Sequence, residues 1–245
     1  GDKGTRDRAY MNAMGRLADA HPEDLEARVF YSLAILGSTD GERDFATYMR
    51  AAAQALRVSE ANPQPPGAVH YTIHSFDDPV HAPLGLAAAR AYSEIAPDAG
   101  HAQHMTSHIF VAMGLWDDLV AANIRARDVQ NGREAELGRT PNVCGHYTSW
   151  LHYGWLQRGE VEAAERGMAE CHERVASGTG TASEANYFVN MRARHVLDLG
   201  DWDAAARLSA DLEAHPVYTF ISGVAAIKNG DRDGAQAALT RLAAG

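Results

Sequence analysis

The sequence predicts an all-α fold, an α-solenoid of antiparallel helix pairs, and three observations carry that expectation. Apolar residues recur at helical spacing, as in Val29, Leu33 and Leu36 or in Val161, Ala164 and Met168, which is the 3.6-residue period of an amphipathic helix. Val, Ile and Thr are scattered rather than alternating, so no strand is expected. The third observation is an internal repeat. His70 and His74 return as His104 and His108, and Pro63 returns as Pro97, each displaced by 34 residues; that is the length of a helix-turn-helix solenoid unit.

The elements follow from their punctuation. A leading helix is expected near 5–20, and helix pairs at 24–61, 66–95, 100–133, 144–176, 182–214 and 216–244. Pro63 and Pro97 each follow an apolar-periodic stretch and so end a helix. Asp78 reads as the N-cap of the next helix, with Pro79 as its first residue. Gly114-Leu-Trp-Asp-Asp-Leu119, Gly159-Glu-Val-Glu-Ala-Ala164, Gly200-Asp-Trp-Asp-Ala-Ala205 and Gly230-Asp-Arg-Asp-Gly-Ala235 share one shape. In each, Gly takes the left-handed conformation that closes one helix, and acidic residues favour the N-terminus of the next. The turn formers Gly132, Gly138, Pro141, Asn142 and Gly145 place the longest loop at 131–145.

These segments resemble the tetratricopeptide repeat superfamily. Trp116 and Trp202 match the aromatic two residues after the Gly, Ala164, Ala205 and Ala235 match the small residue that follows, Phe110 matches the aromatic of the first helix, and Pro63 and Pro97 match the closing Pro. The resemblance runs from about Glu23 to the end of the chain, over repeats of irregular length. It implies a single domain over 1–245 of about six helix pairs, coiled as a right-handed superhelix with a concave groove, the histidine-rich part being 66–158. It also implies that this face of the first helix lines the groove where ligands sit.

Composition narrows the function. The chain has 245 residues, 46% of them apolar, enough for one large domain or an extended array. A formal charge of −10, with 32 acidic against 22 basic residues, offers no footprint for a phosphate backbone, so nucleic acid is not an expected partner. No apolar run is long enough to span a membrane. The start, Gly1-Asp2-Lys3-Gly4, is no signal peptide and lacks Met, as a trimmed chain would. Cys144 and Cys171 are too few for a disulfide framework, which favours a reducing compartment and a cytoplasmic location.

Chemistry concentrates in the histidines. Eight of the twelve, His70, His74, His81, His101, His104, His108, His146 and His152, lie between residues 70 and 152. Four apart is one helical turn, so each His-x-x-x-His pair shares a face, and His101 extends the stripe of His104 and His108 in an i, i+3, i+7 pattern. Packed helices lie about 8–10 Å apart, a gap that facing imidazoles can close around a metal with bonds near 2.0 Å. His70, His74, His104 and His108 are the core of the expected site, with His101, His81 and His146 as further candidate ligands. Asp77, three residues after His74 and without an evident structural duty, is the carboxylate of a possible two-His, one-carboxylate triad.

Beyond Gly114 two registers compete. The Gly register, a shift of 45, pairs His101 with His146 and His108 with Tyr153; the Pro register, a shift of 44, pairs His108 with His152 instead. The Gly marker lies nearer and favours His146 and Tyr153, the latter as a catalytic candidate. Tyr71, Tyr147, Tyr153 and Trp150 are read either as groove lining or as core, and Cys144 either as a buried thiol or as a soft ligand. His21, His172, His195 and His215 are isolated. No phosphate-cradling loop, Gly-x-Ser-x-Gly elbow or His-Glu-x-x-His helix is present.

The expectation is therefore a protein that holds a divalent transition metal (iron, copper or zinc) in its groove and acts on, or carries, a small molecule or peptide. Such a site would be oxygen-activating or hydrolytic if it is catalytic. The rival is a metal-free scaffold whose groove binds a peptide of a protein partner.

Overall fold

In the computed structural model all residues are described except 40, 42, 208–211, 213 and 245. Among the described residues the chain forms helices and no strand, and it divides into two compact units, Gly1–Val129 and Gln130–Gly245. Within the expected fifth pair, residues 208–211 and 213 lie outside the described residues.

The first unit opens with α1 (Lys3–Ala20), α2 (Leu25–Gly37) and α3 (Phe45–Ala61). Asp2, Asp24 and Asp44 cap them, each side chain accepting a backbone N–H of the first turn, which satisfies donors that the helix itself leaves unpaired. α4 (Pro66–Phe76), α5 (Ala82–Ile95), α6 (Gly100–Met113) and α7 (Trp116–Glu136) follow. Each helix from α1 to α5 packs on the next, and α2, α4 and α6 also touch one another in turn. Short connections between successive helices make them antiparallel, so the unit is a run of helical hairpins of the α-solenoid kind in which α4 and α6 lie side by side. The 34-residue period is thus a real structural translation, from one first helix of a pair to the next.

The connection between α4 and α5 departs from expectation. Asp78 does cap, its Oδ1 accepting from the N–H groups of Val80 and His81 at 3.0 Å. What it caps is a turn, and the helix proper begins at Ala82 rather than at Pro79. Arg43 ties this corner together, with Nε 3.3 Å from Asp78 and Nη2 donating to the carbonyls of His74 and Ser75. The predicted turn at Gly114 is present, with φ +69 and its N–H closing α6; Gly159, Gly200 and Gly230 adopt the same left-handed conformation.

Gly85 sets how closely α5 approaches α6. A Cβ there would sit 2.7 Å from Ile109 Cδ1 and 3.3 Å from Phe76 Cβ. Gly85→Val should overpack this contact and lower stability by about 1–3 kcal/mol, read as an earlier urea midpoint. An unchanged midpoint would show that the approach is not tight.

The second unit contains α8 (His146–Gln157), α9 (Val161–Ala176), α10 (Ala182–Leu199), α11 (Ala204–Arg207), α12 (Pro216–Lys228) and α13 (Arg232–Ala244). Successive helices pack again, with α8 on α10 and α10 on α12 as the alternate contacts. The long loop is shorter than expected. α7 continues to Glu136, because Gly132 is tolerated within a helix otherwise rich in helix formers, leaving 137–145 irregular. Asn131 anchors that loop from the helix, its Oδ1 accepting the Asn142 N–H at 2.8 Å.

Cys144 and Cys171 form a disulfide. They lie in a core cluster with Met168, Phe188, Val189 and Met191. This corrects the reading of Cys144 as a free thiol or metal ligand, and it removes the reason for expecting a reducing compartment. The pairing was invisible in the sequence because it depends on α9 folding back against the segment before α8. Among the described residues no helix is long and apolar enough to cross a membrane.

Candidate metal centre

Two helices and one loop of the first unit build the site. α4 presents His70 and His74 one turn apart, and α6 presents His101, His104 and His108 along a single stripe. The rings close on themselves. His101 lies 5.2 Å from His70, His70 4.8 Å from His74, His74 6.0 Å from His108, His108 5.0 Å from His104, and His104 6.3 Å from His101, all between ring centroids. Five imidazoles thus form one ring of contacts across α4 and α6.

Two members have their tautomers assigned by partners. His108 Nδ1 is 2.8 Å from Asp77 Oδ2; a carboxylate accepts, so this nitrogen donates. His104 Nδ1 is 2.7 Å from Asn123 Oδ1. Asn123 Nδ2 donates to the Leu119 carbonyl, which turns the amide oxygen toward the imidazole and makes His104 Nδ1 a donor as well. Both Nε2 atoms are then acceptors when the rings are neutral, and they meet 3.2 Å apart. Two lone pairs repel at that distance unless a cation, a proton or a metal, is shared between them.

Burial sets the charge state of the remainder. The imidazoles of His70 and His74 are pushed down to about 4 by burial, helped by neighbouring histidines and, for His74, opposed by Asp77. Burial, followed by His108, lowers His101 too. These rings are neutral at pH 7, the form that binds a metal. His70 Nε2 is buried without a hydrogen-bond partner, an arrangement that proteins generally avoid. Tyr92 packs on His70 at 5.7 Å and stays a phenol, burial raising it to about 12.

The candidates separate clearly. His70, His74, His101, His104 and His108 come together. Asp77 stands behind His108, holding its Nδ1, rather than beside it as a fellow ligand. His104 is fully buried, whereas His101 is exposed, so the ring runs from the packed interior to the surface instead of lying wholly on a groove wall. His81 is turned away, its Nδ1 bound by Asp78 at 2.9 Å and its ring against Phe45 at 5.1 Å. Among the described residues, no three His, Cys, Asp or Glu side chains are already drawn around one point.

His146 and Tyr153 belong to the second unit. His146 is exposed beside Tyr147, Trp150 and Tyr187, and Tyr153 lies under the Arg194 guanidinium at 4.0 Å. His152 is fully buried, with its ring 5.5 Å from that of His195, so His195 is not isolated. That contact crosses from α8 to α10, and no local spacing announces it. Asn123 was also missed, since one Asn on a helix face carries no signal until the partner helix is in place.

No family model matches the chain, and no curated protein matches it. Among solved structures it is similar to the human IFIT1 dimer with m7Gppp-AAAA, at 13% identity over 96% of this chain and 55% of that chain, TM-score 0.41. A monomeric IFIT1 mutant with Gppp-AAAA gives 13% identity over the same shares, TM-score 0.40. The chain spans about half the length of these proteins. Similarity of this degree transfers neither a ligand nor an activity.

Proposed function

We propose that the protein is a metal-binding helical-repeat protein in which His104 and His108 hold a divalent transition metal, completed by His70, His74 or His101, and that the site acts on or carries a small molecule or peptide. One observation carries this reading. The Nε2 atoms of His104 and His108 stand 3.2 Å apart, each on a ring whose Nδ1 is engaged by Asn123 or Asp77. Two nitrogens on one tetrahedral metal at bonds of about 2.0–2.1 Å are about 3.3 Å apart, and an outer carboxylate or amide holding the far nitrogen is the usual support of a histidine ligand. A donor set of imidazoles suits zinc, copper or iron. The metal would supply Lewis acidity, an activated water or oxygen chemistry; the histidines bind it, and the exposed His101 edge is the side from which a ligand enters.

The test is elemental analysis of tag-free protein beside a His104→Ala, His108→Ala variant checked for helicity. The native protein should carry near-stoichiometric zinc, copper or iron, and the variant should lose it. Asp77→Asn should weaken binding by about 10–100-fold without abolishing it. Absence of metal from the native protein, after reconstitution with each ion, would overturn the reading. It would instead favour the metal-free peptide scaffold.

A further inference from the structure

Among the described residues of the second unit, a buried arginine stands with no acidic partner. Arg192, on α10, is 1% exposed. Its Nη2 donates to the Ala205 carbonyl and to Ser222 Oγ, and its guanidinium lies 4.0 Å over the Tyr218 ring. Nε and Nη1 are buried without a hydrogen-bond partner, and among the described residues no Asp or Glu pairs with it. A guanidinium taken out of water is normally matched by a carboxylate. Among the described residues its partners are a carbonyl, a hydroxyl and an aromatic face.

The same residues line a cavity of about 310 Å³, whose walls include Trp202, Tyr218, Ser222, Asn229 and Arg241. Lys228 sits 5.5 Å from the Trp202 ring, adding positive charge. The wall also carries the Asp231 carboxylate, which accepts the Gly234 N–H at 2.9 Å at the start of α13. Two guanidinium groups against one carboxylate leave the described lining net positive, between aromatic sides, with a volume at the small end of ligand pockets.

We propose that this cavity binds a small organic anion, its carboxylate or phosphate group facing the Arg192 guanidinium and its apolar body between Trp202 and Tyr218. The anion provides a counter-charge that no described Asp or Glu supplies, and charge-assisted contacts to guanidinium are the strong ones. The volume accommodates a single-ring acid or a short phosphate ester. This site is independent of the histidine ring.

Binding is tested by thermal melts and calorimetry of the intact chain with benzoate, phenyl phosphate and inorganic phosphate, against chloride at equal ionic strength. A saturable rise in Tm with at least one of them is expected, benzoate marking a carboxylate site and the phosphates a phosphate site. Arg192→Met keeps the side-chain volume and removes the charge; binding should weaken by at least about tenfold. Ala226→Phe fills the cavity without touching the Arg192 hydrogen bonds and should abolish the response, so it decides the matter if Arg192→Met does not fold. No saturable binding of any probe below about 10 mM, or binding unchanged in the folded variants, overturns the proposal.

Discussion

Reduction of the Cys144–Cys171 disulfide is expected to cost the second unit about 3.5 kcal/mol, the chain-entropy value for a loop closed by residues 27 apart. Both sulfurs are buried in the cluster of Met168, Phe188, Val189 and Met191. The bond joins the segment leading into α8 to the middle of α9, so cutting it frees the start of the unit while the packing of α10 and α12 persists. Urea unfolding with and without reductant, and of Cys171→Ser, should show the midpoint falling by the same amount in both cases. Equal midpoints with the bond intact and broken would remove the disulfide from the stability of this unit.

Acidification should weaken the second unit through His152. Its imidazole is fully buried and is driven down to about 3, first by burial and then by the neighbouring His195 and Arg194. In the unfolded chain it titrates near 6.5. Between those values the unfolded state binds one more proton than the fold, so stability is fully present above pH 6.5 and is lost as pH falls toward 3. Going from pH 7 to pH 5, this one group removes about 2 kcal/mol. His152→Leu abolishes the titration, so its unfolding free energy should fall by about 2 kcal/mol less than that of the native protein over the same interval. Parallel losses in the two proteins would mean that His152 is hydrated or paired in solution.

Much of the fold was legible because its signals are local. The Gly turns at 114, 159, 200 and 230 and the proline-terminated helices lie within a few residues of what they punctuate, and the helix ends fall close to the expected positions. Misjudgements arose where a local signal was outweighed. Gly132 reads as a loop former in a loop expected from residue 131, yet the helix runs through both positions to Glu136. Asp78 caps as expected, but Arg43 and His81 draw its carboxylate into a corner that delays α5 to Ala82.

By itself the sequence determined the all-α architecture, the 34-residue translation, and the placing of His70, His74, His104 and His108 at equivalent points of two neighbouring helices, since helical period and repeat length are properties of the chain alone. The depth and orientation of each ring were settled only by the tertiary structure. His104 is buried against Asn123 on α7, Asp77 holds the Nδ1 of His108, His81 turned to Asp78, and His195 met His152. The disulfide and the buried Arg192, with no acidic partner among the described residues, belong to the same class. Each depends on which side chains face one another across helices, and that is fixed by how the helices pack, which no spacing along one strand of sequence records.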